Sequence, residues 1–336
     1  MTLQVSDKIS EDDANNFIYL FTENIPNYYP YSTDLTAKSI INSHNLGRDP
    51  YGYFSKTKKI WKAISKEGLT IGFTVVTEKR GGSIKFGPTL IQESYRNQGV
   101  GSNLRLQLEA VYAALGYRKA YSTTNAKNIA AIFYLLKIGY TIEACLKRHY
   151  TNNTDELILG KFISDAQRSL HESYLSTVVV DVSNSLDENN SESEKVLLRK
   201  MQPFYSEIDK SFIRGIRDCL TDKVLKDEQF YVEKKKVMFK SDDEQSIAIT
   251  VPKRGGCVKA SPIIFSSQEE VNRFLLLEVI NFYRQKTENH KIYTLCPLAQ
   301  ADNVLLLKSL NFVVEGVIRE PYKQGVDFLV LSYYLN

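Results

Sequence analysis

Long apolar runs are missing from this chain. No stretch of about eighteen or more apolar residues occurs, so nothing has the length that a membrane-crossing helix needs. The opening Met1-Thr-Leu-Gln-Val-Ser-Asp lacks the basic region and apolar run of a secretory leader, and the expectation is a cytoplasmic protein with no membrane partner. Cysteine is scarce: Cys145, Cys219, Cys257 and Cys296 stand far apart, without the short spacing of a metal knuckle or a redox pair, and read as reduced, buried thiols. His44, His149, His171 and His290 show no ligand spacing either, so no metal is expected. Charge of one sign is also lacking. With 43 Lys and Arg against 39 Asp and Glu the net charge is only +4. Clusters such as Lys56-Thr-Lys58-Lys59 and Lys234-Lys235-Lys236 read as solvated strand ends, which argues against a nucleic-acid partner.

What is present is core and pattern. A chain of 336 residues that is 43% hydrophobic has material for two domains of ordinary size. Its central feature is the glycine turn Arg96-Asn97-Gln98-Gly99-Val100-Gly101, with Ser102 behind it. The turn follows an extended stretch, Gly82 to Ile91, and opens a helix over Val100 to Leu115. Backbone N–H groups at a helix start have no helical partner and sit at the positive end of the helix dipole, a ready anion site that a pyrophosphate would fit. A Cβ at either glycine would keep the backbone away from phosphate oxygens, and Arg96 adds a cation at the mouth. Upstream, Ile71-Gly-Phe-Thr-Val-Val-Thr and Ser83-Ile-Lys-Phe-Gly-Pro-Thr-Leu-Ile flank the turn Lys79-Arg80-Gly81-Gly82 as an antiparallel hairpin. Downstream come a strand, Lys119 to Thr123, a segment from Asn128 through Phe133-Tyr134 to Lys137-Ile-Gly139-Tyr140, and two further strands.

This succession resembles the GNAT superfamily of acyl-CoA-dependent N-acyltransferases over residues 2 to 165. The resemblance rests on Arg-x-x-Gly-x-Gly before a helix, followed by an Asn-led helix that carries Phe-Tyr and ends in Lys-x-Gly-Tyr. It implies an α/β (α+β) fold: a mixed, mostly antiparallel twisted sheet flanked by helices. It also implies acetyl-CoA as acyl donor. Arg96, Asn97, Gln98, Gly99, Val100, Gly101 and Ser102 would then hold the pyrophosphate. The backbone at Leu90 and Ile91 would hold the pantetheine arm where that strand splays from the one at Lys119 to Thr123, and Asn128 would be a further cofactor contact. Tyr134 would be the general acid for the departing thiolate, and Tyr28, Tyr29, Tyr31 and Tyr53 contacts of the acceptor. The carboxylate that the family often uses as base has no counterpart in Lys85-Phe-Gly-Pro-Thr-Leu. Glu93 and Glu143 are nearest by sequence. The expected reaction is acetyl transfer to a primary amine, on a small molecule or a peptide; a non-catalytic acyl-CoA-binding scaffold and an acetyltransferase of charged tRNA are the rivals.

The second half repeats the first. Lys79-Arg-Gly-Gly-Ser-Ile-Lys-Phe-Gly-Pro88 and Lys253-Arg-Gly-Gly-Cys-Val-Lys-Ala-Ser-Pro262 match at an offset of 253 − 79 = 174. Asn128 falls near Asn303, Ile142-Glu143 on Val314-Glu315, and Tyr150 on Tyr322. The units are far longer than solenoid repeats, so two whole tandem domains are expected: residues 1–165, a linker at 166–195 seeded by the polar run after Ser183, and a degenerate domain at 196–336. At the same offset Arg96, Gly99 and Gly101 fall on Glu270, Arg273 and Leu275. Acids in that first helical turn would repel phosphate, and the second domain is expected not to bind CoA. Tyr134 falls on Leu305 or Leu306, so the fold does not need its hydroxyl. Glu143 recurs as Glu315, which favours a structural role for both.

Overall fold

The computed structural model describes residues 3–29, 33–50, 52–151, 153–164, 191–220, 236–253 and 255–335. They form two compact units, residues 3–142 with 157–164 and residues 143–156 with 191–335. The boundary therefore differs from the expected cut at 165. The stretch 143–156 belongs with the second unit, because Glu143 and Ala144 contact residues 316–319 there.

In chain order the first part has β1 (Gln4–Ser6), α1 (Glu11–Asn24), α2 (Asp34–Asn45), β2 (Ser55–Ile64), β3 (Thr70–Lys79), β4 (Ser83–Ile91), α3 (Val100–Ala114), β5 (Lys119–Asn125) and α4 (Ile129–Lys137). β6 (Thr141–Thr151) and β7 (Thr154–Phe162) follow. The strand order in the first unit is β1-β2-β3-β4-β5-β7, and β4–β5 is a parallel pair within an otherwise antiparallel run from β1 to β4.

α1 begins at Ser10 because a capping box closes there: the Ser10 hydroxyl accepts from the Asp13 N–H at 3.1 Å while the Asp13 carboxylate accepts from the Ser10 N–H. Asp13 also accepts from Lys62 at 2.6 Å and Thr70 at 2.8 Å, so one carboxylate ties the helix start to β2 and β3. Phe17, Leu20 and Phe21 of α1 pack with Ile60, Phe73, Val75 and Leu90 as one core. Leu104, Leu108 and Tyr112 of α3 pack with Val76, Ile84, Phe86 and Ala120 as another. Each fully buried side chain of this size contributes roughly 1.5–3 kcal/mol. The two cores hold β4 from its two neighbouring helix layers, and β4 carries the site.

The second unit adds α5 (Glu192–Met201), α6 (Lys210–Leu220), β8 (Val237–Lys240), β9 (Ile247–Pro252), β10 (Cys257–Ile264), α7 (Glu269–Arg284), β11 (Lys291–Pro297), α8 (Ala301–Ser309), β12 (Val313–Ile318) and β13 (Phe328–Tyr334). Its strands run in the order β6-β12-β13-β11-β10-β9-β8, with β10–β11 parallel. Most of the expected linker lies outside the described residues, but its last part does not: Ser191 and Glu194 form a capping box that starts α5. Ser-x-x-Glu at 191–194 is a helix-start signal inside a polar run. Gly316, at φ +154°, lies opposite Ala144, and a Cβ there would meet the Ala144 backbone at 2.5 Å.

The succession strand, strand, helix, parallel strand, helix, two strands occurs in both halves. So does one irregularity. In β4 the residues Gly87 and Pro88 bulge between the rungs Thr74↔Thr89 and Val76↔Phe86, and in β10 Ser261 and Pro262 bulge between Ala260↔Thr250 and Ile263↔Ala248.

Candidate active site

β4 and β5 are in register only over Ser83↔Lys119, Ile84↔Ala120, Lys85↔Tyr121 and Phe86↔Ser122. β4 then runs on to Ile91 and β5 to Asn125 without further rungs between them. The bulge at Gly87-Pro88 sits where the strands part. A buried clamp fixes this last rung: the Arg105 guanidinium donates to the Ser122 hydroxyl at 2.5 Å and to Tyr140 at 3.0 Å, and the Ser122 hydroxyl donates to the Phe86 carbonyl. Arg105 also lies 3.9 Å from the Phe86 ring centroid and 3.6 Å from Glu109, whose other oxygen takes Lys161 at 2.6 Å. The sequence reading passed over Arg105. The available signal was a lone arginine among the apolar positions of α3.

At the far end of β4 the chain makes a short 3-10 turn, Glu93–Tyr95, and enters α3 through Gly99. Gly99 has φ +77°, a conformation that an L side chain resists. Gly101 is helical, so a positive φ is required of Gly99 and not of Gly101. Space explains Gly101 instead: a Cβ there would meet only Ile91 Cγ1, at 3.8 Å, and one at Gly99 would meet nothing within 4 Å. The protein itself fills neither position, which leaves an open cradle.

The first helical bond of α3 is Asn103 N–H to the Gly99 carbonyl. Among the described residues the N–H groups of Val100, Gly101 and Ser102 find no acceptor, and no acid stands in the first turn. Arg96 is exposed and braced, donating to the Ile91 carbonyl at 3.1 Å and to Asn24 at 2.8 Å. Gln98 donates to the Ser94 carbonyl, and Asn97 has φ +62°, so both shape the turn. The donor set and the free space fit an acyl-CoA pyrophosphate.

Tyr134 comes from α4, which Asn128 caps by accepting from the Ala131 N–H at 3.1 Å. The Tyr134 hydroxyl donates to the Gly101 carbonyl at 3.1 Å, so the phenol reaches the opening turn of α3. Burial pushes its pKa up, Arg105 pulls it down and Glu109 pushes it up again, with a net rise. It therefore stays protonated at neutral pH, as a proton donor must.

The tyrosines divide. Asn125, at the end of β5, donates its backbone N–H to the Tyr29 hydroxyl and its side-chain amide to the Tyr28 carbonyl, both at 2.9 Å. Tyr28 and Tyr29 thus reach the parted end of β5, held by an asparagine that sequence reasoning missed. Tyr31 lies outside the described residues. Tyr53 is not brought there: it is buried, and its carbonyl accepts from Arg80 beside the β3–β4 turn, at the paired end of β4. Its ring lies against that of Phe54 at 5.0 Å, away from the parted strands.

Neither candidate base gains support. Glu143 accepts from Arg319 at 3.0 Å with its side chain buried in the second unit, and Glu93 is exposed in the 3-10 turn. Glu315 is equally committed, to Lys291, Ser332 and Tyr334.

The second unit parts its strands too, after Ala260↔Thr294, but its helix start differs. Matching buried helix positions, Leu104 with Leu275 and Tyr112 with Tyr283, gives an offset of 275 − 104 = 283 − 112 = 171. The sequence offset of 174 fails here because the connection from β10 to α7 is shorter and lacks the 3-10 turn. In the corrected register Gly99 falls on Glu270 and Gly101 on Asn272. The Asn272 carboxamide oxygen accepts from the Ser266 N–H at 2.8 Å and from the Ser246 hydroxyl at 2.7 Å, and its amide donates back to the Ser266 carbonyl. A side chain thus plugs the turn that is open in the first unit, and Glu269 and Glu270 occupy the first turn behind it. At the starts of α4 and α8 the offset is 301 − 129 = 172, which sets Asn128 on Gln300, the residue before α8, and not on Asn303 inside that helix; Asn128 caps its helix with its side chain and Gln300 does not. Tyr134 falls on Leu306, which is buried.

No family model and no curated protein matches the chain. Solved structures do. One from Desulfovibrio desulfuricans, described as an acetyltransferase of the GNAT family, superposes with a TM-score of 0.42 at 16% identity over 48% of this chain and 99% of its own. An aminoglycoside 6'-N-acetyltransferase complexed with coenzyme A gives 0.38 at 15% over 48% and 97%. A spermidine N-acetyltransferase from Vibrio cholerae, in complex with CoA and spermine, gives 0.40 at 16% over 48% and 95%. The chain is thus similar to GNAT-family structures that each cover about half of it. What the first unit can do chemically follows from its own residues.

Proposed function

We propose that the first unit is an acyl-CoA-dependent N-acetyltransferase that acetylates a primary amine by direct attack. The observation that carries this reading is the open helix start, with three N–H groups lacking acceptors beside the point where β4 and β5 part. The acyl donor supplies an activated thioester. The Val100, Gly101 and Ser102 N–H groups and Arg96 bind its phosphates. The β4 backbone at Leu90 and Ile91, without rungs to β5, offers hydrogen bonds to an extended amide chain. Tyr134 holds the proton that the leaving sulfur requires.

An acceptor amine of ordinary pKa, about 10.4, costs roughly 4.6 kcal/mol to deprotonate at pH 7. Of the two carboxylates weighed for that task, Glu143 is tied to Arg319 and Glu93 is exposed in the 3-10 turn. Tyr28 and Tyr29, held at the end of β5, border the acceptor side and favour a small amine or a peptide terminus. The second unit, read as a tandem duplicate, has kept the strand bulge and parted strands and has exchanged the open turn for the Asn272 plug.

The test is calorimetric titration of acetyl-CoA into the whole protein and into Gly99→Glu, followed by an amine screen for released thiol. One site, lost in the variant, with thiol release on adding an amine is expected. Absence of binding in the unaltered protein would sink the proposal. Binding without thiol release across the amines would turn it into a scaffold. Two sites would mean that the second unit also holds the cofactor.

A further inference from the structure

The second unit contains a cavity of about 330 Å³ that the acyl-CoA reading does not use. It lies where β10 and β11 part: Ile263, Ile264 and Phe265 line it from the end of β10, past the last rung with β11, and Pro297 lines it from the end of β11. Phe204 and Tyr205, after α5, add aromatic surface, and Tyr205 is itself fixed by rings of Tyr322 and Phe328 at 4.9 and 5.3 Å. A half-open pocket at the small end of the usual range, its lining polar and apolar in about equal measure, takes a ligand of one ring or a short alkyl chain with a polar end.

The charged side chains have one sign, and Gln300 adds a neutral amide. Arg199 and Lys200 line the cavity and no aspartate or glutamate does. The two cations are not equivalent. Lys200 is committed, donating to the Gln245 and Phe265 carbonyls at 3.0 Å each, and so closes the β10 end. Arg199 is exposed, and among the described residues no carboxylate pairs with it. Its planar fork is suited to a carboxylate. A phosphate-rich ligand is disfavoured by the following helix start, where Asn272 fills the turn and Glu269 and Glu270 stand in the first helical turn.

We propose that this cavity binds a small monocarboxylate with an apolar body, the body among Phe204, Tyr205 and Ile263 and the carboxylate on Arg199. This is a ligand site separate from the acyl-CoA cleft, and it stands whether or not the first unit is a transferase.

The experiment titrates phenylacetate, hexanoate and, as the sign control, phenethylamine into the full chain by calorimetry. Arg199→Gln, on the surface and outside the core, and Ile263→Trp, which fills the cavity, serve as variants, each checked for folding by circular dichroism. A saturable site for a carboxylate and none for the amine is expected. Arg199→Gln should weaken it roughly tenfold, the worth of one charge-assisted hydrogen bond, and saturating acetyl-CoA should leave it unchanged. Absence of carboxylate binding at millimolar concentration, equal affinity in Arg199→Gln, or competition with acetyl-CoA would overturn the proposal. If Ile263→Trp does not fold, the Arg199→Gln comparison decides.

Discussion

Replacing Gly101 by alanine separates what the protein needs from what its ligand needs. Gly101 lies in the first turn of α3 with ordinary helical geometry, and an added Cβ would touch only Ile91 Cγ1, at 3.8 Å. That is van der Waals contact. The folded protein should tolerate the methyl, and alanine is favoured over glycine in a helix by roughly 0.5–1 kcal/mol, partly through the unfolded chain. Stability should therefore rise by a few tenths of a kcal/mol or stay level. Binding should move the other way. If phosphate oxygens accept from the Val100, Gly101 and Ser102 N–H groups, the methyl pushes them out of range. Losing one charge-assisted bond, at about 1.5–3 kcal/mol, weakens affinity by roughly ten- to a hundredfold. Denaturant unfolding and acetyl-CoA calorimetry on the same preparation read both effects. The control is Gly99→Ala, where φ of +77° costs about 1–2 kcal/mol of stability in its own right. Unchanged acetyl-CoA affinity in Gly101→Ala would refute the claim that this helix start holds the phosphates.

Other substitutions probe the remaining parts. Tyr134→Phe should lower kcat for thiol release by about a hundredfold while acetyl-CoA affinity holds, because a general acid acts on the leaving group; an unchanged kcat would remove Tyr134 from the chemistry. Lys291→Met should destabilise the protein by about 3–5 kcal/mol in urea unfolding, since Glu315, buried and bound to the fully buried ammonium at 2.7 Å, loses its counter-charge; a loss below about 1 kcal/mol would mean that Ser332 and Tyr334 satisfy Glu315 alone. Asp13 makes stability depend on acid. Burial raises its pKa, but Lys62, Ser10 and Thr70 outweigh it and bring it from 3.8 down to about 2. A depressed folded pKa means stabilisation that is complete above the unfolded value and lost as pH falls from about 4 through 2, some 2 kcal/mol in all. Asp13→Asn should flatten that part of the stability profile, and an identical profile in the variant would contradict the assignment.

Arg-x-x-Gly-x-Gly and the Asn128-to-Tyr140 segment were legible because each residue acts locally: Gly99 through its own φ, Asn128 through its own cap, α3 through its apolar spacing. The repeat Lys-Arg-Gly-Gly was legible for the same reason, as a turn between two strands. What the sequence hid depends on contacts between elements. Tyr53 looked like its neighbours Tyr28 and Tyr29, and only the β3–β4 turn, through Arg80, shows that it faces the opposite end of β4. Arg105 and Asn125 carry no local signature, since each is defined by what it bridges: Ser122 and Tyr140 for one, Tyr28 and Tyr29 for the other. The two halves differ most at their helix starts. A constant offset set Gly99 against Arg273, whereas matching the buried faces of α3 and α7 sets Gly101 against Asn272. The physical reason for expecting no phosphate there therefore changes. Two exposed acids would weaken an anion site by repulsion that salt screens. A carboxamide bonded to Ser266 and Ser246 instead fills the turn ahead of the helix start with a side chain, an obstruction that salt does not screen. Removing the plug without the acids, by Asn272→Gly, would therefore leave a second helix start that is open but still poled against phosphate.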